Sequence, residues 1–232
     1  MKVAKDESVD FPLFVITDFF PNPEEIRYEV LQAPLRYDNG PWVGDNVNIS
    51  DETRIKTMKY ILSTAKDILK DYVWCFNISV PLEFRKLEDS SKTSEFIVHT
   101  DRFEWLDFDQ QGRSLLSKWD HWSFVFDLTP TENAAKLSFG EYINGEKTLS
   151  CLLKHPNRGE IMRDASSWKF YKHHYYSYNS AVMFPSNYWH TASDFICSKQ
   201  VPRVNGAAWF YSGYNPVYHI SGIELLDKSF IR

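Results

Sequence analysis

Three cysteines in 232 residues, Cys75, Cys151 and Cys197, are odd in number and scattered. They make neither a disulfide framework nor the CxxC pair of a structural zinc site, and such usage fits a reducing compartment. No stretch approaches the roughly 18 consecutive apolar residues of a membrane span. The opening Met1-Lys2-Val3-Ala4-Lys5-Asp6-Glu7 has no apolar core of signal-peptide length. The expectation is a soluble, intracellular, cytoplasmic protein with no membrane partner. Basic charge is also short: 26 Lys and Arg against 31 Asp and Glu leave a net charge of −5. No Lys/Arg cluster is dense enough to track phosphates, so nucleic acid is disfavoured as a partner. Repeats and low-complexity tracts are missing too, and with 43% hydrophobic residues the chain is neither disordered nor collagenous.

Aromatic residues, in contrast, make up 16% of the chain, which favours half-buried pleated surfaces and a mainly β protein of one domain. Residues 11–16 read as a short strand. Asn22, Pro23 and the acidic Glu24-Glu25 mark a helix start, with the helix running to about Gln32. Ile55, Met58, Ile61, Leu62, Ala65, Ile68 and Leu69 keep one apolar stripe, predicting a helix over 52–70 that packs on the outside of a sheet. From Tyr72 the pattern becomes short aromatic and β-branched runs at 72–79, 81–87, 94–99, 120–128, 135–143, 147–154, 168–178, 180–184 and 203–212. Strands at such spacing indicate a sandwich or barrel. Residues 102–118 and 155–167 lack a clear period and are candidates for lids or binding loops. The stretch Gly140 to Thr148 nearly spells a phosphate-binding loop. Glu146, however, displaces Lys147 by one position and puts negative charge where phosphate oxygens would lie. Asn144-Gly145 reads better as a two-residue hairpin turn.

The chemistry concentrates around Phe96-Ile97-Val98-His99-Thr100-Asp101. In a strand, residues two apart share a face, so His99 and Asp101 project together. That is half of the 2-His-1-carboxylate facial triad of non-haem Fe(II) oxygenases. A second histidine has to come from far along the chain. His121, His155 and His219 read as surface or core residues, and His173-His174, flanked by Tyr171, Tyr175 and Tyr176, as a cavity wall. His190 follows an apolar strand and the Phe184-Pro185-Ser186 turn. Thirteen residues later Arg203 opens a strand in which alternation places Arg203, Asn205, Ala207 and Trp209 on one face. A buried arginine needs an anion, and its fork matches a carboxylate. Lys199, in a polar turn, is the rival anchor.

His99-x-Asp101, Ala135-Lys136-Leu137-Ser138-Phe139, Val182-Met183-Phe184-Pro185-Ser186 with His190, and Arg203 heading a strand to Trp209 together resemble the 2-oxoglutarate/Fe(II)-dependent dioxygenases, in their prolyl-4-hydroxylase-like branch. The resemblance covers roughly 75–213. It implies a mainly β fold with N-terminal helices around a double-stranded β-helix (jelly-roll, cupin-like) core. Within the single domain 1–232, residues 1–71 would pack on the barrel, 72–213 form it and 214–232 trail as a tail. It also implies iron held by His99, Asp101 and His190, and Arg203 paired to the distal carboxylate of 2-oxoglutarate. The implied reaction consumes O2, releases succinate and CO2, and hydroxylates a C–H bond of a small-molecule or polypeptide substrate, with ascorbate as an accessory reductant. Retention of Asp101 favours hydroxylation over the halogenation of relatives that lack this carboxylate. Arg102, Trp105, Tyr175 and Tyr176 are the candidate substrate contacts at the open end of the barrel. Two other readings are a cupin-like metal protein with non-redox chemistry and a non-catalytic β-sandwich binding module. Convergence of the three ligand atoms, with Arg203 in the same cavity, is what discriminates among them.

Overall fold

Both expected helices form at the positions the sequence marks. α1 (Pro23–Gln32) opens on a proline whose missing N–H is no loss in a first turn, and Glu24 and Glu25 sit at the positive end of the helix dipole. Asn22 makes no side-chain cap bond; its Nδ2 reaches Glu25 Oε2 at 3.4 Å instead. α2 (Asp51–Leu69) is capped by Ser50, whose Oγ accepts the Thr53 N–H at 3.2 Å. Its stripe, Met58, Ile61, Leu62, Ala65 and Leu69, is buried against the outer face of a sheet. The computed structural model describes residues 1–36, 45–70, 77–88, 97–101, 121–145, 147 and 155–211. Among the described residues no helix is long and apolar enough to cross a membrane.

The strands among the described residues are β1 (Lys2–Lys5), β2 (Phe14–Thr17), β3 (Leu35–Arg36), β4 (Asp45–Val47), β5 (Asn77–Leu87), β6 (His121–Asp127), β7 (Lys136–Tyr142), β8 (Trp168–Tyr175), β9 (Ser180–Pro185), β10 (His190–Ser193) and β11 (Arg203–Tyr211). Eight form a large sheet in the order β1-β2-β9-β6-β11-β5-β4-β3, and three a small one, β10-β7-β8. Residues 97–101 join the small sheet through an antiparallel bridge between His99 and His190. Taken along the chain, β5, β6, β9 and β11 lie in the large sheet, while 97–101, β7, β8 and β10 lie in the small one. This interleaving of two antiparallel sheets is the double-stranded β-helix.

The large sheet is covered on both faces, which is why β6 and β9 are buried along almost their whole length. Trp122, Phe124 and Phe126 of β6 and Val204, Ala208 and Phe210 of β11 face the helices. Val182 and Phe184 of β9 face Leu137 and Phe139 of β7 across the barrel interior. On β11 the intervening Arg203, Asn205, Ala207 and Trp209 are left to line a cavity. The expected strands 72–79 and 81–87 merge, where described, into β5. Its register against β11 shifts between Ala207 and Trp209, opposite the segment carrying Pro81. A bulge accommodates a proline that could not donate to the ladder. The turn near 144 closes one residue earlier than expected. Gly145 N–H donates to Tyr142 O at 2.7 Å with Gly145 at φ +89°, so Ile143-Asn144 is its centre. The strand expected at 147–154 lies, but for Lys147, outside the described residues, as do the candidate loop 102–118 and the tail 214–232. The 155–167 stretch contains a short helix, α3 (Arg158–Arg163), and one turn of 3-10 helix.

Candidate functional site

His99 and His190 are brought together by backbone pairing. Each donates its N–H to the carbonyl of the other at 2.9 Å, which sets the imidazoles side by side with ring centroids 4.4 Å apart. The 97–101 segment is pinned further by Val98 N–H on Met162 O at 2.8 Å, by the burial of Val98 against Trp168 and Trp189, and by Asp101 N–H on Ser186 O at 3.0 Å. His190 is wedged edge-on against Phe184, 4.9 Å between centroids. Asp101 completes the group, with Oδ2 at 3.4 Å from His190 Nε2 and Oδ1 at 3.7 Å from His99 Nε2. The ligand atoms of all three residues lie within 4.8 Å of one another.

These atoms have the donor chemistry and spacing of a facial metal triad. Ligands at about 2.1 Å on adjacent octahedral corners stand about 3.0 Å apart, so the His190 edge at 3.4 Å and the His99 edge at 3.7 Å close by about 0.4 and 0.7 Å as the carboxylate turns a single oxygen toward both rings. The tautomers suit as well. Nδ1 of His190 faces Tyr188 O at 3.0 Å and Nδ1 of His99 faces Ile97 O at 3.4 Å, so with the proton on Nδ1 each Nε2 presents its lone pair on the Asp101 side, as a metal ligand would. Burial, reinforced by neighbouring His190 and opposed by Asp101, lowers the His99 pKa to about 4, keeping the ring neutral. Burial alone would raise Asp101, but His190, His99 and the indole of Trp209 outweigh it and hold the carboxyl well below the usual range. That indole N–H is buried and makes no hydrogen bond of normal geometry.

The triad opens on a cavity of about 300 Å³ that Arg203 also lines. Arg203 is 3% exposed, lies over the Phe195 ring with Cζ at 4.8 Å from its centroid, and donates from Nε to Asp127 Oδ2 at 2.9 Å. Lys199 is exposed and away from the cavity. Tyr176 is buried and lines the cavity, its hydroxyl without a partner, and burial pushes its phenol well above the usual range. Tyr175, on the opposite face of the chain, is half exposed and contributes nothing to the lining. Arg102 and Trp105 lie outside the described residues. His173 is exposed and bonded through Nδ1 to Ser138 Oγ at 2.8 Å, and His155 is an exposed loop residue, so neither approaches the triad.

Two cavity-end residues escaped the sequence reading. Arg85 lines the cavity from β5, with Nε on Asn46 Oδ1 at 3.1 Å and an ion pair to Glu83. Asp127 is the anion already paired to Arg203. Strand alternation was the available signal for both: Arg85 and Asp127 stand directly opposite Asn205 on the two sides of β11.

Fold and site define a class of architecture, the double-stranded β-helix that carries a His-x-Asp…His cluster at its mouth. No family model matches the chain, and no curated protein sequence does. Solved structures do. HygX from Streptomyces hygroscopicus, with nickel and 2-oxoglutarate bound, aligns over 87% of this chain and 83% of its own at 11% identity and TM-score 0.54. The non-heme alpha ketoglutarate dependent carbocyclase SnoK from nogalamycin biosynthesis aligns over 86% and 79% at 10% identity and TM-score 0.52. EctD from S. alaskensis aligns over 87% and 73% at 12% identity and TM-score 0.50. At these identities the likeness establishes the fold; of these neighbours, HygX holds nickel and 2-oxoglutarate and SnoK is alpha ketoglutarate dependent.

Proposed function

We propose that this chain is an Fe(II)- and 2-oxoglutarate-dependent dioxygenase of the prolyl-4-hydroxylase-like branch, hydroxylating a C–H bond of a protein side chain, an amino acid or a small metabolite. The observation that carries the reading is the convergence of His99 Nε2, His190 Nε2 and one Asp101 oxygen at the mouth of a cavity that also contains Arg203. His99, Asp101 and His190 would hold the iron. Arg203, through its Nη atoms, and the Tyr176 hydroxyl would bind the distal carboxylate of 2-oxoglutarate. Bound iron with 2-oxoglutarate and dioxygen supplies the oxidation, yielding succinate, CO2 and an alcohol.

The residues of the chain do the rest. The bridged histidines fix two ligands on one edge of the small sheet, and their Nδ1–H bonds to carbonyls keep Nε2 available. Ala207, with its short side chain between Asn205 and Trp209, leaves room over the carboxylate end. Leu137, Val125 and Met162 supply the apolar part of the lining and would limit water beside the bound iron.

The test is anaerobic titration of the Fe(II)-loaded protein with 2-oxoglutarate, then succinate release in air across a panel of peptides and free amino acids. Tight iron binding that is lost in His99→Ala, with succinate formation stimulated by one member of the panel, is the expected result. A protein that binds neither iron nor keto acid would refute the assignment.

A further inference from the structure

The guanidinium reserved for the co-substrate brings its own counter-ion. Asp127 is fully buried, accepts from Arg203 Nε through Oδ2 at 2.9 Å, and accepts the Thr129 N–H through Oδ1 at 2.8 Å. The Thr129 hydroxyl in turn accepts the Val204 N–H at 3.1 Å, so the carboxylate is fastened to the same strand that carries the arginine. Asp127 pairs with Asn205 in the ladder, which fixes its backbone beside the strand that carries Arg203. The ion pair is therefore held by the fold's own hydrogen bonds.

This changes what the far end of the cavity rejects. A site whose buried charge is satisfied only by the ligand excludes analogues lacking the matching group by about 10⁴–10⁵, because the site's own group is then stranded. Here Arg203 is not stranded. A second carboxylate entering beside it finds a charge that Asp127 already balances; of the other donors lining the cavity, Arg85 is itself paired to Glu83 and the unpartnered Tyr176 hydroxyl is neutral.

We propose that Asp127 sets the specificity for the keto acid: by neutralising Arg203 it makes the site accept 2-oxo acids with uncharged tails alongside 2-oxoglutarate. The inference rests on the proposed function, since it concerns the co-substrate end of that same site.

Calorimetry on the full chain loaded with Mn(II), which permits binding without turnover, separates the two. Dissociation constants are measured for 2-oxoglutarate and for 2-oxopentanoate, which has a methyl group in place of the distal carboxylate. In the wild-type protein 2-oxopentanoate binds within about a hundredfold of 2-oxoglutarate, the range of an apolar-contact difference; a preference for 2-oxoglutarate above about a thousandfold overturns the proposal. In Asp127→Asn the charge on Arg203 is uncompensated and that preference rises at least tenfold; an unchanged ratio in a folded variant also overturns it. Should Asp127→Asn fail to fold, the wild-type ratio alone decides. Failure of both keto acids to bind a protein that does bind Mn(II) overturns the co-substrate reading itself, an outcome distinct from a wrong ratio.

Discussion

Gly206 sits in the middle of β11, paired with Phe84 of β5 on one side and Phe126 of β6 on the other. A Cβ at this position would stand 2.3 Å from Phe126 Cζ, 2.7 Å from Phe126 Cε1 and 2.8 Å from the Glu83 carbonyl oxygen. Carbon atoms in ordinary contact stand about 3.5–4.0 Å apart, so the ring has to retreat by about an ångström or more. It has nowhere to go: Phe126 is fully buried, edge-on to Phe20 at 5.0 Å and to Phe84 at 5.7 Å. Glu83 O is backbone inside the β5–β11 pairing and moves only with the strand. Overpacking of this kind costs about 1–3 kcal/mol, and the lower unfolded-state entropy of alanine offsets about 0.4–1 kcal/mol of it. Gly206→Ala is therefore expected to lose about 1–2 kcal/mol, read in urea unfolding as a lower midpoint at unchanged slope. Because Asn205 and Ala207 flank it, the same displacement reaches the cavity floor and weakens keto-acid binding. A variant as stable as wild type would show that β11 is not clamped between its neighbours, and the placement of Arg203 and Trp209 would lose its support.

Three further outcomes follow from the site. Arg203→Ala is expected to weaken 2-oxoglutarate binding while leaving iron bound; unchanged keto-acid affinity by calorimetry would remove the residue from the site. The same substitution strands the fully buried Asp127 and is expected to cost about 3–5 kcal/mol in chemical denaturation, with Arg203→Ala/Asp127→Ala recovering part of the loss. Without metal, His99 is neutral when folded down to about pH 4 but protonates near its ordinary 6.5 when unfolded. The unfolded chain takes the proton first, so stability falls on the order of 2 kcal/mol as pH drops from 6.5 to 4, and the lowered Asp101 extends the loss below that. A flat metal-free stability profile between pH 7 and 4 would contradict the neutral, half-buried imidazole.

What was legible beforehand was whatever a local rule writes into neighbouring residues. Asn22-Pro23 and Ser50 announce α1 and α2 because a helix start is decided within one turn. Alternation along Arg203 to Trp209 was readable because β11 is covered by two chemically different environments, apolar on one face and polar on the other. β1 was missed because Lys2–Lys5 is exposed along its length and shows no alternation of burial. β10 was missed as a strand because four residues are too few for a period to register. The strand expected at 11–16 is displaced to Phe14–Thr17: Phe11 and Leu13 are core residues held in irregular chain around Pro12, and burial without pairing looks the same in sequence. Asp127 was invisible as a functional residue because its partner lies 76 positions away. No spacing rule links an acid at the end of one strand to an arginine at the start of another.

That long-range pairing has a counterpart at the other end of the cavity, where the ligand geometry depends on aromatic packing rather than on loops. The carbonyl that faces His190 Nδ1 belongs to Tyr188, whose ring stacks on Phe11 at 4.1 Å, and Phe11 in turn packs on Phe139 at 5.1 Å. Phe139 is the cross-strand partner of His190 itself. The residue that orients the imidazole is thus held by the N-terminal segment, whose Phe11 enters the same buried cluster. A cavity at Phe11 would loosen Tyr188 and the Leu137 and Phe139 packing beside it, so Phe11→Ala is expected to lower metal affinity as well as stability. Because the reciprocal 2.9 Å backbone bonds between His99 and His190 remain, the ligands stay in register, and the loss falls on the orientation of the His190 ring alone.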